Sequence, residues 1–437
     1  MIPRLIAPLA FLLPLPALAA VEIQEVVTPG GITAWLVEEH SIPFTSIEIQ
    51  FDGGANEDTP ESRGATYLMM GLLEEGAGDM DARAFAEAEE SLAARLSFDA
   101  SNDSVTVGLS FLTEYRDESV DLMRAALTDP TFDPDAVERV REQVLAGLAS
   151  DARDPNEIAS RTFSALSFPS HPYGTAMKGT PETVAALSID DLRRAHGRAL
   201  TRDRVHVGVA GDITAEDLAP LLDRLLGDLP ESDSADVPQV ETVLDGGVTV
   251  VDYPTPQSVV LFGHEGVEFD DPDYFPAFVL NQVLGGSGFD SRLMTEVREK
   301  RGLTYGIGTY LAPRDKTAQL LGQFASSNDK AADAIEIVRA EWARLAENGI
   351  TKEELDAAKT YLTGAYPLRF DGNSRIAGIL VGMQSIGLPI DYIPTRNDRV
   401  EAVTLEDVKR VAARLLDPED LHFVVVGQPE GLETGSF

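Results

Sequence analysis

Two stretches of this chain, 216 residues apart, are copies of one another. Residues 184–211 read VAALSIDDLRRAHGRALTRDRVHVGVAG and residues 400–427 read VEAVTLEDVKRVAARLLDPEDLHFVVVG; they align without a gap, with nine identities in 28 positions. Both spell the same unit. Ser188 or Thr404 opens a helix as its N-cap, and the acids that follow meet the positive end of the helix dipole. Apolar residues then recur at helical spacing, Leu192, Ala195 and Ala199 in one copy and Val408, Val411 and Leu415 in the other. A short polar loop leads to an apolar run, Val205 to Ala210 or Leu421 to Val426, which ends in glycine and reads as a buried strand. A common register through helix, loop and strand implies a duplicated domain of about 200 residues, and two such domains fill a chain of 437.

The rest of the chain fits that division. The stretch Leu229 to Pro238, LPESDSADVP, is rich in proline, serine and aspartate and reads as the core of a linker. Each half opens with strand-like runs, Ile32 to Val37 and Thr45 to Phe51 in the first, Val248 to Val251 and Ser258 to Phe262 in the second. Long amphipathic helices follow, such as Asp135 to Ala149 and Ala331 to Ala346. The order is not a simple βαβ alternation, so the expected class is α+β: two tandem homologous domains, each a mixed β-sheet with helices packed mainly on one face. The expected boundaries are a leader at 1–20, an N-terminal domain at 21–228, a linker at 229–242 and a C-terminal domain at 243–437.

Composition narrows the function classes. A formal net charge of −38, spread along the chain, repels nucleic acid and anionic lipid and favours a basic partner or solubility alone. The first twenty residues, MIPRLIAPLAFLLPLPALAA, combine an early Arg4, a short apolar run broken by proline, and a small-x-small cleavage signal at Ala17 to Ala19. The expectation is an exported, periplasmic protein with no membrane insertion, because no segment reaches the ~18 apolar residues of a spanning helix. With no cysteine, disulfides and thiolate metal sites are excluded.

The chemistry-bearing motifs come in a particular order. A strand ends in FDGGANEDTPESRG, and a helix follows with GATYLMMGLLEEGA. Then come PDAVERVREQVLAGL, the HPYG turn at His171 to Gly174 and the VAGD strand end at Val209 to Asp212. The second half carries NQVLGGSGFDSRLMTEVREKRGLTYGIG and a VVVG strand end. In this order the chain resembles the insulinase/pitrilysin family of zinc metallopeptidases, the inverted zincins, and most closely its bacterial, mitochondrial-processing-peptidase-like members. The likeness covers nearly the whole chain after the leader. Active members of that family carry H-x-x-E-H on the first helix, with two imidazoles one turn apart on a zinc, the glutamate as general base and a later glutamate as third ligand. Laid on this chain, the first histidine falls at Tyr67, the base at Met70, the second histidine at Gly71 and the later glutamate at Gly147. A neutral phenol, a thioether and two glycines do not make a zinc site. The six histidines, at 40, 171, 196, 206, 264 and 422, are too far apart in sequence to supply H-x-x-E-H in any frame. His206 and His422 occupy equivalent strands of the repeat and read as structural; His171 reads as a packing or hydrogen-bonding residue of its turn.

The second half keeps more of the pattern. Ser291 to Tyr305, SRLMTEVREKRGLTY, reads as a helix, a stop at Gly302 and a strand from Leu303. By residue type alone, Arg298, Lys300 and Arg301 serve equally well as cations offsetting a helix C-terminus, and Tyr305 as a strand aromatic. The family resemblance implies a different role: Arg298 holds a substrate carbonyl and the Tyr305 hydroxyl stabilises an oxyanion. The Gly285 to Gly288 stretch reads as a turn, since it lacks the pattern of a phosphate loop. The resulting expectation is a non-catalytic subunit, inactive alone and without zinc of its own, that lends Arg298 and Tyr305 to a homologous partner bearing H-x-x-E-H and zinc, with peptide as substrate. A structural or peptide-binding envelope scaffold is the second reading, and an independent metallopeptidase with an unfamiliar ligand set the third.

Overall fold

The computed structural model describes residues 22–232, 237–288 and 290–432, so the leader read at 1–20 and part of the linker lie outside the described residues. The N-terminal half contributes β1 (Gln24–Val27), β2 (Thr33–Glu38), β3 (Phe44–Asp52), a two-residue ribbon β4 (Gly76–Ala77) and β5 (Met80–Asp81), β6 (Arg95–Ala100), β7 (Ser104–Leu112) and β8 (Val205–Gly211). The C-terminal half contributes β9 (Gly247–Asp252), β10 (Gln257–Glu265), β11 (Ile307–Pro313), β12 (Ala318–Ser327) and β13 (His422–Gly427). The two large sheets run β1-β2-β8-β3-β7-β6 and β11-β12-β10-β13-β9. Without β1 the first has the connectivity of the second read backwards. Each sheet is mixed for the same reason: its last strand lies parallel to an early one, β8 to β2 with Trp35 opposite Gly208, and β13 to β9 with Val424 opposite Thr249.

The repeat is therefore structural. Its helices span Ile189–Ala199 and Leu405–Leu415, and both open with a capping box in which Ser188 or Thr404 exchanges hydrogen bonds with Asp191 or Asp407. Behind the helices lie β8 and β13. The expected strands and long helices form within a few residues of their sequence bounds, the helices as Pro134–Asp151 and Ala331–Asn348.

Alternation along the strands explains the layers. Ile47, Ile49 and Phe51 of β3 face the helices of their own half, and Val260 and Phe262 of β10 do the same in the second half. The opposite face of each sheet receives one helix from the other half. Ala159 and Phe163 of the helix Pro155–Ser167 pack on Leu321, Val424 and Val426 of the C-terminal sheet. Reciprocally, Leu380 and Met383 of the helix Asn373–Ser385 pack on Trp35, Val37 and Ala210 of the N-terminal sheet. Around the linker, the Val240 amide donates to the Lys316 carbonyl (2.9 Å) and the Val243 amide to the Ser167 carbonyl (3.1 Å), which ties this segment to both halves. Among the described residues no helix is long and apolar enough to cross a membrane.

Candidate functional site

The helix that resembles a zinc helix is short. It spans Ala65–Met70 and ends at Gly71, and Leu72 to Glu74 continue as turns. Leu68, Leu72 and Leu73 are buried, as their pattern requires. What fixes this helix is a buried ionic network at its N-terminus. Asp58 accepts from the Gly64 and Thr66 amides (3.2 Å each) and from the Thr66 hydroxyl (2.7 Å), capping the helix in place of its N-cap glycine. Arg198, from the repeat helix, neutralises Asp58 at 2.5 Å, and Arg204 pairs with the neighbouring Glu57 at 2.6 Å. Sequence reasoning did not pick out Asp58 and Arg198; the signal was an acid six residues ahead of the helix glycine and a basic residue in one repeat copy where the other has Arg414.

At the metal positions the geometry offers nothing that resembles a ligand set. Met70 is buried in the core, and Gly71 has no side chain to present. At Gly147, on the helix Pro134–Asp151, an added Cβ would meet nothing within 4 Å. The Tyr67 ring has the Lys178 ammonium 6.0 Å from its centre, and that ammonium is in turn paired with Asp151 at 2.8 Å. The pairing with Asp151 raises the lysine's proton affinity, so the charge beside Tyr67 is a firmly protonated amine.

The histidines are engaged elsewhere. His206 pairs with Asp52 (3.1 Å), and His422 bonds the Gly246 carbonyl (2.6 Å), both within their sheets. His171 accepts from the Tyr173 amide (3.2 Å) and reaches the Pro238 carbonyl (3.2 Å). Its turn is a junction between the halves: the Tyr173 hydroxyl donates to Asp103 (2.7 Å) and accepts from the Lys316 amide (3.3 Å). Among the described residues no group of three or more histidines and carboxylates is placed to hold a metal ion. The residues at the family's zinc positions do not fit zinc.

Arg298 and Tyr305 are brought together. The segment Met294–Glu299 is a wide π-type turn, not a plain α-helix, and Gly302, at φ 60°, ends it by taking a left-handed conformation. The strand expected from Leu303 begins instead at Ile307, because Thr304 and Ser326 hold the intervening loop off the sheet ladder. The Thr304 hydroxyl donates to the Ala325 carbonyl (2.7 Å), and the Ser326 hydroxyl to the Leu303 carbonyl (2.6 Å). Tyr305 projects from this pinned loop with 90% of its surface exposed, and the Arg298 guanidinium lies 5.3 Å from its ring centre. Neighbouring cations are engaged differently: Lys300 and Arg301 both pair with Glu296 (2.6 and 2.7 Å), and Arg292 grips Glu354 through two bonds of 2.7 Å. Next to the loop is a cleft of about 540 Å³, walled by Gly285–Gly288, by Gly306–Tyr310 at the outer strand β11 and by Asn156 from the other half. Where a turn was expected, Gly285 ends the helix Tyr274–Gly285, Gly286 is extended, and Ser287 and Gly288 form a bend.

A duplicated α+β unit, with helices exchanged between halves and a metal helix stripped of its ligands, defines a peptidase-type scaffold, and comparison with known proteins places it. Residues 34–180 match the family model of insulinase (peptidase family M16) and residues 186–362 match that of the peptidase M16 inactive domain. The chain belongs to the insulinase, or M16, family. It is 28% identical over 392 residues to the non-peptidase homolog YmxG of Helicobacter pylori, covering 89% of this chain and 90% of that one. It is also 25% identical over 415 residues to the mitochondrial-processing peptidase subunit beta of Blastocladiella emersonii, covering 92% and 88%. Among solved structures, a peptidase M16 inactive domain from Pseudomonas fluorescens superposes with a TM-score of 0.88 at 27% identity, covering 95% of this chain and 100% of that one.

Proposed function

We propose that this chain is the non-catalytic subunit of a heteromeric zinc metallopeptidase, exported to the periplasm, with substrate peptide and a zinc-bearing homologous chain as its partners. One observation carries the reading: the four metal-side positions are Tyr67, Met70, Gly71 and Gly147, whereas Arg298 lies against Tyr305, which projects from a pinned loop next to an open cleft. In such an assembly the partner's H-x-x-E-H helix supplies the zinc-bound water. This chain supplies a guanidinium for a substrate carbonyl or carboxylate and a phenol for the developing oxyanion. Neither chain alone holds both parts. The kinship with a protein named as a subunit of the mitochondrial-processing peptidase supports a two-chain arrangement.

The test is complementation. The purified chain is mixed with a zinc-bearing M16 chain from the same organism and peptide hydrolysis is followed. Addition of this chain raises the rate, and Tyr305→Phe or Arg298→Ala lowers the mixed-chain kcat about 100-fold. A mixed rate indifferent to both substitutions rejects the role. A second reading, a peptide-binding envelope scaffold with no part in turnover, draws on the relative named a non-peptidase homolog. It predicts stable partners in pull-down and a partner rate that this chain never changes.

A further inference from the structure

In a chain with 73 acidic and 35 basic residues, a buried arginine is expected to find a carboxylate. Half-buried Arg198 and Arg204 do so at Asp58 and Glu57, half-buried Arg292 at Glu354, and buried Arg141 at Glu138. Arg63, also buried, is instead met by backbone carbonyls, among them those of Pro172 (3.0 Å), Thr175 and Ala176 (3.2 Å each).

Arg396 follows neither pattern fully. Only 5% exposed, it comes from the helix Tyr392–Ala402, and its guanidinium is stacked between Tyr366 and Phe278, 4.5 and 5.3 Å from their ring centres. One nitrogen, Nη1, donates to the Leu362 carbonyl (2.8 Å) and to Asn397 Oδ1 (3.0 Å). Among the described residues no carboxylate pairs with it, nor with Arg369 or Arg375. Yet these three cations wall one cavity of about 460 Å³, and two of them, Arg369 and Arg396, also wall an adjoining one of about 350 Å³. Burial pushes the Arg396 guanidinium below the usual arginine range, and Arg369 is near enough to add to that. Arg369 and Arg375 lie exposed at the rim, and a buried guanidinium such as Arg396 without a counter-charge is unfavourable unless an anion joins it.

The rest of the cavity supplies an apolar body site. Tyr274 and Phe278 lie nearly parallel, 6.2 Å apart and 8° from coplanar. Across from them the helix Asn373–Ser385 presents Gly378 and Gly382, one turn apart, where an added Cβ would meet nothing within 4 Å. The room is open and the wall is smooth. A planar guanidinium backed by aromatic faces and facing apolar space suits a planar anion on a flat hydrophobic group.

We propose that this cavity binds an aromatic carboxylate, its carboxylate held by Arg396 and Arg369 and its ring lying against Gly378 and Gly382. The same chemistry is offered by a free aryl acid and by a peptide ending in an aromatic residue. It stands apart from the Arg298–Tyr305 proposal and does not depend on it.

Calorimetric titration of the full chain tests the site with 2-naphthoate, with the uncharged 2-naphthylmethanol, and with a Gly-Gly-Phe peptide as free acid and as amide. The expected result is naphthoate or the peptide acid binding at least about 10-fold tighter than its uncharged counterpart. Naphthoate alone marks a free acid as the ligand; the peptide acid marks a C-terminus. Gly382→Leu, at a position where an added Cβ meets nothing within 4 Å, projects into the cavity and abolishes binding while thermal melting is kept. Arg369→Gln, at the exposed rim, weakens binding about 10-fold, and Arg396→Met, which keeps the stacked volume, weakens it further. Equal binding of charged and uncharged ligands, binding unaffected by Gly382→Leu, or no binding by any of the four, overturns the proposal.

Discussion

The helix Ala65–Met70 and the segment from Met294 to Tyr305 sit in corresponding halves of one duplicated fold, and they differ in what they keep. The first retains its scaffold: Asp58, Thr66 and Arg198 still cap and anchor it, and its leucines still pack. Its chemistry is absent, with a phenol, a thioether and two glycines at the metal positions. The second keeps Arg298 beside Tyr305, which projects from a loop pinned by Thr304 and Ser326. The difference teaches that in this chain the helix is held by contacts away from the four family zinc positions. The ionic cap and the core hold the helix, so the ligand positions are free to change.

The strongest way to sharpen this comparison is to restore what is absent. If only side chains were lost, the combined variant Tyr67→His, Met70→Glu, Gly71→His and Gly147→Glu gains zinc with a Kd of about 1 μM or tighter, some 8 kcal/mol of binding, read by titration against a chelating dye. Gly71 has φ −68°, and Gly147 faces open space, so both accept a side chain. Failure to bind would mean that the backbone too has drifted.

Next in size is the scaffold itself. Asp58→Ala removes the cap and leaves Arg198 only its longer pairing with Glu57 (3.5 Å), and should cost about 3 kcal/mol in denaturant unfolding. A loss under ~1 kcal/mol would show that the network does not hold the helix.

The exchanged helices give a smaller test. At Gly208, on β8, a Cβ would lie 2.2 Å from the Ala377 carbonyl oxygen, so the helix Asn373–Ser385 sits directly on the bare backbone. Gly208→Val should cost about 2–3 kcal/mol by lifting that helix and should speed proteolysis within residues 373–385. The same substitution at Gly197, where no neighbour lies within 4 Å of an added Cβ, should leave those sites protected.

The smallest effect is a pH signature confined to the N-terminal sheet. Glu48 on β3 sits opposite Gly108 and Gly208. Burial, helped by the nearby Asp99, raises its pKa to about 7 from an ordinary 4.5. The folded state therefore holds this proton more tightly than the unfolded state, and stability falls as pH rises from 4.5 towards 7. Glu48→Gln removes that penalty. After discounting for its partial exposure, it should stabilise by about 1–2 kcal/mol above pH 7, with the gain fading towards pH 4.5, measured as unfolding free energy against pH.

Much of this architecture was legible in the sequence. The repeat marked both N-caps and the strand that ends each copy, because N-cap chemistry and apolar runs are local signals. The missing zinc ligands were equally legible, since they depend on residue identity at known spacing. The exchange of helices was not. Ala159 and Phe163, or Leu380 and Met383, mark an apolar helix face but not which sheet it meets. The wide turn at Met294–Glu299 and the late start of β11 were hidden too, because Thr304 and Ser326 compete for backbone partners only once folded. The guanidinium cavity joins Phe278, Tyr366 and Arg396, which no local pattern links.

Metal content measures most directly whether this chain holds catalytic zinc unaided. The full-length protein, purified after dialysis against a chelator and re-exposed to zinc, is assayed by mass spectrometry under native conditions. The account predicts the mass of the bare polypeptide, with no tightly held ion. A stoichiometric zinc taken up on re-exposure, and lost on substitution of the chain's own side chains, contradicts this.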